Sequence, residues 1–199
     1  MSSQLKHPHT ITPQEFAITL KASSRLAFWL QFGFAVFSAA ILSFAIADPN
    51  FNLKTTNPLS GAGLFLAMGG LVVLAVGVYW TFNYRHLARQ LDDFDGGVHL
   101  KKSEVINTLW RGLFINAVGL VLTLLGVEAI IGTLIAKSLT QVQGLAIYNS
   151  TQLIEPLDLL VIQASINAIV AQSIGILLAA WLISRIDRHH KGASPKNIL

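Results

Sequence analysis

Glu128 is the residue of this sequence whose position most directly suggests chemistry, because it is an acid inside a long apolar stretch. The stretch is bounded by Arg111 and Lys137 and contains no other charged residue. As an α-helix the interval would be about 39 Å long, enough to cross a bilayer with its headgroups. A charged carboxylate at that depth costs roughly 2.5–3.5 kcal/mol on insertion scales. We therefore expect Glu128 to be neutral, hydrated or paired.

Two amides on the last apolar stretch are the candidate partners of this acid. Gln163 and Asn167 are four residues apart, so both lie on one face of a helix. Glu128 precedes Lys137 by nine residues, and Asn167 follows Asp158 by nine. In antiparallel helices these two positions share a depth, about 13 Å from the helix ends that Lys137 and Asp158 mark. The spacing predicts a contact between Glu128 and an amide.

Two interpretations of this polar group stay open. In one, a protonated Glu128 forms a hydrogen bond with an amide and holds two helices together. In the other, Glu128 is a stop for a proton or cation on a path, since acids inside membranes are generally functional. If the path carries a metal ion, Glu128 and Asp158 are the candidate ligands. Gln163 and Asn167 then line the path or join the helices.

Small and polar residues recur along the third apolar stretch. Gly112, Asn116, Gly119, Thr123 and Gly126 fall within about 80° of arc on a helix. This pattern is typical of a helix-packing seam in which polar groups form local hydrogen bonds. The alternative is one wall of a conduit, with Asn116 and Thr123 facing the transported species.

Histidines and aspartates gather in the polar segments. All six histidines lie in the N-terminal segment, the central linker or the C-terminal tail. Imidazole and carboxylate groups suit borderline divalent metals, so a vestibule for such an ion is one interpretation of the linker. The residues concerned are His86, Asp92, Asp93 and Asp95. Their spacing matches no closed zinc site, and solvated tails and a turn are the alternative.

Other classes of function find no support in the sequence. It contains no nucleophile–base arrangement, phosphate-binding glycine loop or HExxH helix, so we expect no enzymatic activity and no permanently bound cofactor. Cysteine is absent, which excludes disulfides and thiolate metal sites. The net charge of +4 forms no basic stripe interleaved with aromatic residues, so nucleic acid is not an expected partner.

The elements that position these residues are predicted to be membrane-spanning helices. The chain has 199 residues, of which 53% are hydrophobic and only 12% charged, about half the charged fraction of a soluble domain. Four stretches are long and apolar enough to cross a bilayer. They cover residues 26–47, 59–84, 112–136 and 159–184. The predicted fold class is an all-α membrane protein with four transmembrane helices, surrounded by the lipid bilayer.

Other segments lie around or between these spans, which together form a transmembrane domain at residues 26–185. Residues 1–11 are polar and predicted to be disordered. Residues 12–25 are predicted to form a short amphipathic helix at the membrane surface. Residues 85–111 form a polar linker, and residues 186–199 form a basic C-terminal tail.

The distribution of Lys and Arg predicts the orientation in the membrane. Twelve of the 14 lie in the N-terminal segment, the central linker and the C-terminal tail, whereas Lys54 and Lys137 lie in the other two loops. Loops rich in Lys and Arg stay in the cytoplasm. Both termini are therefore predicted to be cytoplasmic, or to face the equivalent compartment of an organelle.

Several motifs resemble a known family. LGVEAIIG at residues 125–132, leading to AKSLT at 136–140, is similar to the third-span signature of the chloroplast inner-envelope permease family. That family is also described as a Tic component of the chloroplast protein-import translocon. Further similar motifs are Asp158 followed by QASIN at 163–167, FWLQ at 28–31, and Tyr84 with Leu87 and Arg89. The resemblance covers roughly residues 20–185 in the same order.

The resemblance implies four transmembrane helices and one of two roles, iron transport or protein import. No long Ser/Arg-rich transit peptide precedes the matching motifs, so we expect a cyanobacterial member in the plasma or thylakoid membrane. We predict a permease, or a permease subunit, with iron or another divalent metal as cargo. The alternative is a non-transporting scaffold or translocon subunit. Four helices form a thin wall for a pore, so either role is expected to need a homo-oligomer or other membrane subunits.

Overall fold

The computed structural model describes residues 13–47, 58–92, 102–140 and 156–192. Each range is one α-helix: α1 is Pro13–Ala47, α2 is Pro58–Asp92, α3 is Lys102–Thr140 and α4 is Pro156–Gly192. Proline opens three of the four helices. It suits the first helical position because that position needs no N–H and because its fixed φ matches a helix. For the described residues, the prediction of an all-α fold is confirmed.

Every helix contains a segment that is long and apolar enough to cross a membrane. These segments are Lys21–Ala47, Gly61–Tyr84, Glu104–Leu139 and Pro156–Ile186. Their outer surfaces carry large apolar side chains, among them Trp29, Phe65 and Leu177, which are 62%, 76% and 68% exposed. Such a surface fits lipid rather than water. The prediction of four helices able to span a bilayer is confirmed.

The helices are longer than the charge-free stretches that predicted them. α2 continues to Asp92 and α3 begins at Lys102, so most of the predicted linker at 85–111 is helical. The leucine, alanine and arginine residues that follow Tyr84 favour helix, and a charge that ends an apolar span does not end a helix. α1 is also continuous, so residues 13–25, predicted as an amphipathic lead-in, belong to the same helix as the first span, and their position at the membrane surface stays a prediction.

Neighbouring helices run antiparallel in the cyclic order α1, α2, α3, α4, and α2 also contacts α4 across the bundle. On α1, Gln31 and Ser38 are seven residues apart, and they bond to the carbonyl oxygens of Ala171 and Ala164 on α4, in the reverse order. The starts of α1 and α3 therefore lie at the same end of the bundle as the ends of α2 and α4. We call this the terminal end.

Glycines at seven-residue intervals bring α2 and α3 into backbone contact. They are Gly63, Gly70 and Gly77 on α2 and Gly112, Gly119 and Gly126 on α3. A seven-residue repeat keeps such a seam on one side of two paired helices. A Cβ on Gly126 would lie 2.7 Å from the backbone nitrogen of Ala67, and one on Gly63 would lie 3.0 Å from the carbonyl oxygen of Gly126. The two backbones leave no room for side chains there.

Apolar clusters fill both ends of the bundle. At the terminal end the buried members are Ala27, Tyr84, Val105, Leu109, Leu178 and Leu182. At the opposite end they are Leu42, Ala45, Ile130, Leu134, Leu157, Val161 and Ala164. The residues between these clusters include the buried polar side chains considered next.

Candidate functional site

Each helix contributes at least one buried polar side chain to the middle of the bundle. They are Gln31 from α1, Thr81 from α2, Asn116 and Thr123 from α3, and Gln172 from α4, and none is more than 2% exposed. We call these five residues the amide centre. An unpaired polar group inside a membrane is costly, so the hydrogen bonds that these side chains find determine how the helices meet.

Gln31 connects α1 to all three other helices. Its Nε2 donates to the carbonyl oxygen of Ala171 at 3.0 Å and, more weakly, to Oδ1 of Asn116 at 3.4 Å. Its Oε1 accepts a hydrogen bond from Oγ1 of Thr81 at 2.7 Å. Asn116 in turn donates from Nδ2 to the carbonyl oxygen of Gly112 at 2.9 Å. One amide side chain thereby joins four helices.

Gln172 makes a second set of bonds further along the bundle axis. Its Nε2 donates to the carbonyl oxygen of Gly70 at 3.0 Å and to Oγ1 of Thr123 at 3.3 Å. The Thr123 hydroxyl donates to the carbonyl oxygen of Gly119 at 2.9 Å. Because Asn116 and Thr123 are seven residues apart on α3, the two levels are separated by about 10 Å.

Glycines provide the room that the amides occupy. A Cβ on Gly175 would collide with Nε2 of Gln31 and would lie 2.7 Å from Cγ of Asn116. A Cβ on Gly119 would lie 2.6 Å from Nε2 of Gln172. The amides thus lie directly against helix backbones. Gly175 and Gly119 belong to the site because they have no side chain.

One acceptor of the amide centre has no donor within the described part of the chain, namely Oε1 of Gln172. A buried carbonyl oxygen without a donor costs about 1–3 kcal/mol. The hydroxyl of Tyr84 lies against Gly112 and also has no hydrogen-bond partner among the described residues. Unpaired buried oxygens mark places where a water, another donor or a cation would be stabilised.

The buried polar side chains in the described ranges are all neutral. Amides and hydroxyls can bind a hydrated cation or a hydrogen-bonding solute through oxygen. They neither gain nor lose a proton near neutral pH, so the amide centre offers binding by neutral groups.

The structure places the sequence-predicted path residues in two different environments. Asn116 and Thr123 lie in the amide centre. Asn167 is buried on α4 outside this centre, and its Oδ1 accepts a hydrogen bond from Nε2 of Gln163 on the same helix at 3.3 Å. Gln163 is exposed on the outer surface of α4.

The structure corrects the expected contact between Glu128 and these amides within one chain. Glu128 is exposed on the outer surface of α3 and has no hydrogen-bond or ion-pair partner among the described residues. The reason is rotation about the helix axis. Glu128 follows Thr123 by five residues, so it lies about 140° around α3 from the side that faces the bundle. Glu128 and Asn167 share a depth, but they do not face each other. Metal binding by Glu128 stays a prediction.

Asp158, the second predicted metal ligand, forms an ion pair with Lys137. Oδ2 of Asp158 lies 3.8 Å from Nζ of Lys137, and the two side chains are 14% and 21% exposed. The acid is in the first turn of α4 and the base in the last turn of α3, where each complements the helix dipole. The pair lies where the end of α3 meets the start of α4, and a metal ion at Asp158 would have to compete with Lys137.

The predicted vestibule lies outside the described side chains. His86 and Asp92 belong to α2, but the structure describes neither side chain, and Asp93 and Asp95 lie outside the described residues altogether. The vestibule therefore stays a prediction.

Sequence reasoning missed three members of the amide centre, Gln31, Thr81 and Gln172. The available signal was a glutamine inside each of two charge-free stretches, Gln31 in the first and Gln172 in the fourth, which also contains Gln163. A polar side chain at such a depth has to find a partner, and this would have justified treating both glutamines as candidates.

Four lipid-facing helices around a neutral polar centre define a class, the multi-pass α-helical membrane protein. The chain belongs to a family described as protein of unknown function (DUF3611), whose model matches residues 11–187. It is also 29% identical over 171 residues to Protein TIC 21, chloroplastic, from Arabidopsis thaliana. That alignment covers 83% of this chain and 56% of the relative, so the chain spans little more than half the relative's length. The family resemblance found in the motifs is confirmed, and no solved structure matches the chain.

Proposed function

We propose that this protein is a membrane-embedded transport component that passes a metal ion, iron being the first candidate, across a cyanobacterial plasma or thylakoid membrane. The observation that carries the proposal is the amide centre. There, all four helices direct neutral polar side chains into the interior of a bundle whose outer surface faces lipid. Polar groups at such depths line substrate pathways or join helices. The similarity to TIC 21 and the resemblance to the envelope permease family support a transport role.

The proposed route follows the polar groups along the bundle axis. From the terminal end it passes the hydroxyl of Tyr84, the amide of Gln31 and then Gln172, and neither the Tyr84 hydroxyl nor Oε1 of Gln172 has a hydrogen-bond partner among the described residues. Conduction needs binding that is strong enough for entry and weak enough for release, and neutral oxygens satisfy this condition. Because the buried polar side chains in the described ranges are all neutral, the ion would keep part of its hydration shell. It is cargo rather than a resident cofactor.

A second candidate function is that of a scaffold or translocon subunit without cargo. Two bonds of the amide centre run from a side chain on one helix to a backbone carbonyl oxygen on another, so these side chains join helices as well as offering oxygens. The resemblance to a translocon component supports this candidate. Helix assembly alone would then explain why the centre is polar.

Uptake of Fe²⁺ and Mn²⁺ into proteoliposomes that contain only the purified full-length protein separates the two candidates. We expect saturable uptake, which Gln172→Leu lowers about tenfold, the equivalent of one hydrogen bond of ~1.4 kcal/mol. Two threonines of α3 provide a matched control. Thr123→Val removes the hydroxyl bonded to Gln172, whereas Thr108→Val removes one that donates to a carbonyl oxygen of its own helix.

Uptake lowered by Gln172→Leu and Thr123→Val but kept by Thr108→Val would support a route through the amide centre. Equal loss in all three variants would point to general destabilisation and contradict the route. No uptake above that of empty liposomes, by protein shown to be folded and inserted, would overturn transport by this chain alone. The scaffold candidate would then predict membrane proteins that stably co-purify with it.

A further inference from the structure

We propose that two copies of this chain pair inside the membrane through the outer surfaces of α3 and α4, with Glu128 of each copy hydrogen-bonded to Gln163 of the other. This inference concerns assembly and does not depend on whether the protein carries an ion. It gives a partner to the acid that the amide centre leaves unused.

The exposed position of Glu128 is the first observation behind the interface. Glu128 lies four residues from the midpoint of the interval between Arg111 and Lys137, which places it about 6 Å from the middle of the span. It faces outward, and no described residue of the same chain pairs with it. An acid exposed at that depth is costly in lipid, whereas a hydrogen-bonding group on a second membrane protein would satisfy it.

Gln163 supplies a group of the required chemistry, and its amide extends from a backbone about 6 Å nearer the helix end toward the depth of Glu128. It is exposed on α4, and its amide reaches one turn along the helix to bond with Asn167 at 3.3 Å. This leaves one N–H and the Oε1 atom of the amide for a partner. An ionised Glu128 accepts from that N–H, and a protonated Glu128 donates to that Oε1. The ion pair of Lys137 with Asp158 aligns the two helices, and Glu128 and Asn167 are each nine residues from it.

Helix geometry places both groups on outer surfaces of adjacent helices. Gln163 precedes Gln172 by nine residues and so lies about 180° around α4 from the side that faces the bundle. Glu128 lies about 140° from Thr123 on α3 by the same measure. A two-fold axis along the membrane normal, between α3 and α4, brings Glu128 of one copy opposite Gln163 of the other and repeats the contact on the other side of the axis. A second copy therefore satisfies both polar groups of each chain at once.

The rest of this surface is apolar and open to close approach. Its exposed side chains include Leu124 and Ile135 on α3 and Leu159, Ile166 and Val170 on α4. Gly132 is one turn from Glu128, and a Cβ at that position would meet no atom within 4 Å. A small residue beside a polar one lets a second helix come close enough for an interhelical hydrogen bond.

Cysteine cross-linking in liposomes tests the interface, and the chain has no cysteine of its own to give background. Full-length chains carrying Glu128→Cys are co-reconstituted with differently tagged chains carrying Gln163→Cys and treated with a short bis-methanethiosulfonate. We expect cross-links between the two tags. Val72→Cys is the matched control, because Val72 is 65% exposed in the middle of α2, outside the proposed interface. The Val72→Cys variant should give only the weak cross-linking that random collisions between chains produce.

Dimer dissociation measured by dilution into lipid provides a second readout. Glu128→Leu removes both symmetric hydrogen bonds and should raise the dissociation constant about tenfold, whereas Glu128→Gln keeps a hydrogen-bonding group and should change it little. Cross-linking no stronger than at Val72→Cys, in protein that is helical by circular dichroism, would overturn the interface. Cross-linking of Glu128→Cys to a different membrane protein in native membranes would also overturn it. A protein that takes up no ion would still be expected to show this cross-linking and this dissociation constant, so the two proposals fail independently.

Discussion

At the residue scale, we expect opposite effects on stability from removing the amide of Gln31 and the hydroxyl of Tyr84, although both are buried polar groups. Gln31 hydrogen-bonds to Thr81, Asn116 and Ala171, on three different helices. Gln31→Met keeps the length of the side chain but removes these bonds. At ~0.6 kcal/mol for an average hydrogen bond inside a membrane, the free energy of unfolding should fall by about 2 kcal/mol.

The hydroxyl of Tyr84 has no hydrogen-bond partner among the described residues, so Tyr84→Phe should leave stability unchanged or raise it by up to about 1 kcal/mol. Thermal unfolding of both variants in the same detergent checks the pair. A loss in Tyr84→Phe as large as that in Gln31→Met would contradict the assignment. It would show that this hydroxyl has a bond that the described residues do not supply.

The sequence predicted some members of the amide centre and not others, and this difference has a physical cause. Asn116 and Thr123 could be predicted because they share a helical stripe with glycines, a periodicity contained in one segment of sequence. Gln31 and Gln172 belong to no such local pattern. Their bonding partners lie on other helices, so tertiary packing alone brings them together. Glu128 shows the converse, because its depth followed from counting residues while its facing side depended on how α3 is rotated in the bundle.

At the element scale, the contact of α2 with α3 depends on glycine, and two glycines of α3 provide a matched test. A Cβ on Gly126 would lie 2.7 Å from the backbone nitrogen of Ala67, whereas one on Gly132 would meet no atom within 4 Å. Gly126→Ala forces the helices apart and should cost about 1–3 kcal/mol of stability. Gly132→Ala gains helix propensity without a clash inside the chain, and at concentrations where the protein is monomeric it should raise stability by up to about 1 kcal/mol.

Chemical denaturation of the two purified variants measures this difference. Both substitutions add the same methyl group to the same helix, so the gain in helix propensity is the same in both. The difference in stability between them therefore reports packing against α2. Equal stability of Gly126→Ala and Gly132→Ala would mean that the backbones of α2 and α3 are not in contact.

The number of helices followed from the sequence, but their lengths did not. Charge-free stretches identified four helices because only a helix can bury so many apolar residues in lipid and still satisfy its backbone. The same criterion ended the second stretch at Tyr84, although α2 continues to Asp92. Charge marks where a helix leaves the hydrocarbon. The end of the helix depends instead on propensity and capping, which continue past that point.

At the scale of the whole molecule, the antiparallel order of the helices and the distribution of Lys and Arg predict one orientation. The starts of α1 and α3 lie at the same end of the bundle as the ends of α2 and α4. Twelve of the 14 Lys and Arg residues belong to the segments next to this terminal end, so it should face the cytoplasm.

Single cysteines at Ser194 and Lys54 report the two sides of the membrane without interference, because the chain has no other cysteine. In intact spheroplasts, a membrane-impermeant maleimide should label Lys54→Cys directly and Ser194→Cys only after permeabilisation. The reverse pattern would overturn the predicted orientation, and the Tyr84 end of the proposed route would then face the opposite side of the membrane.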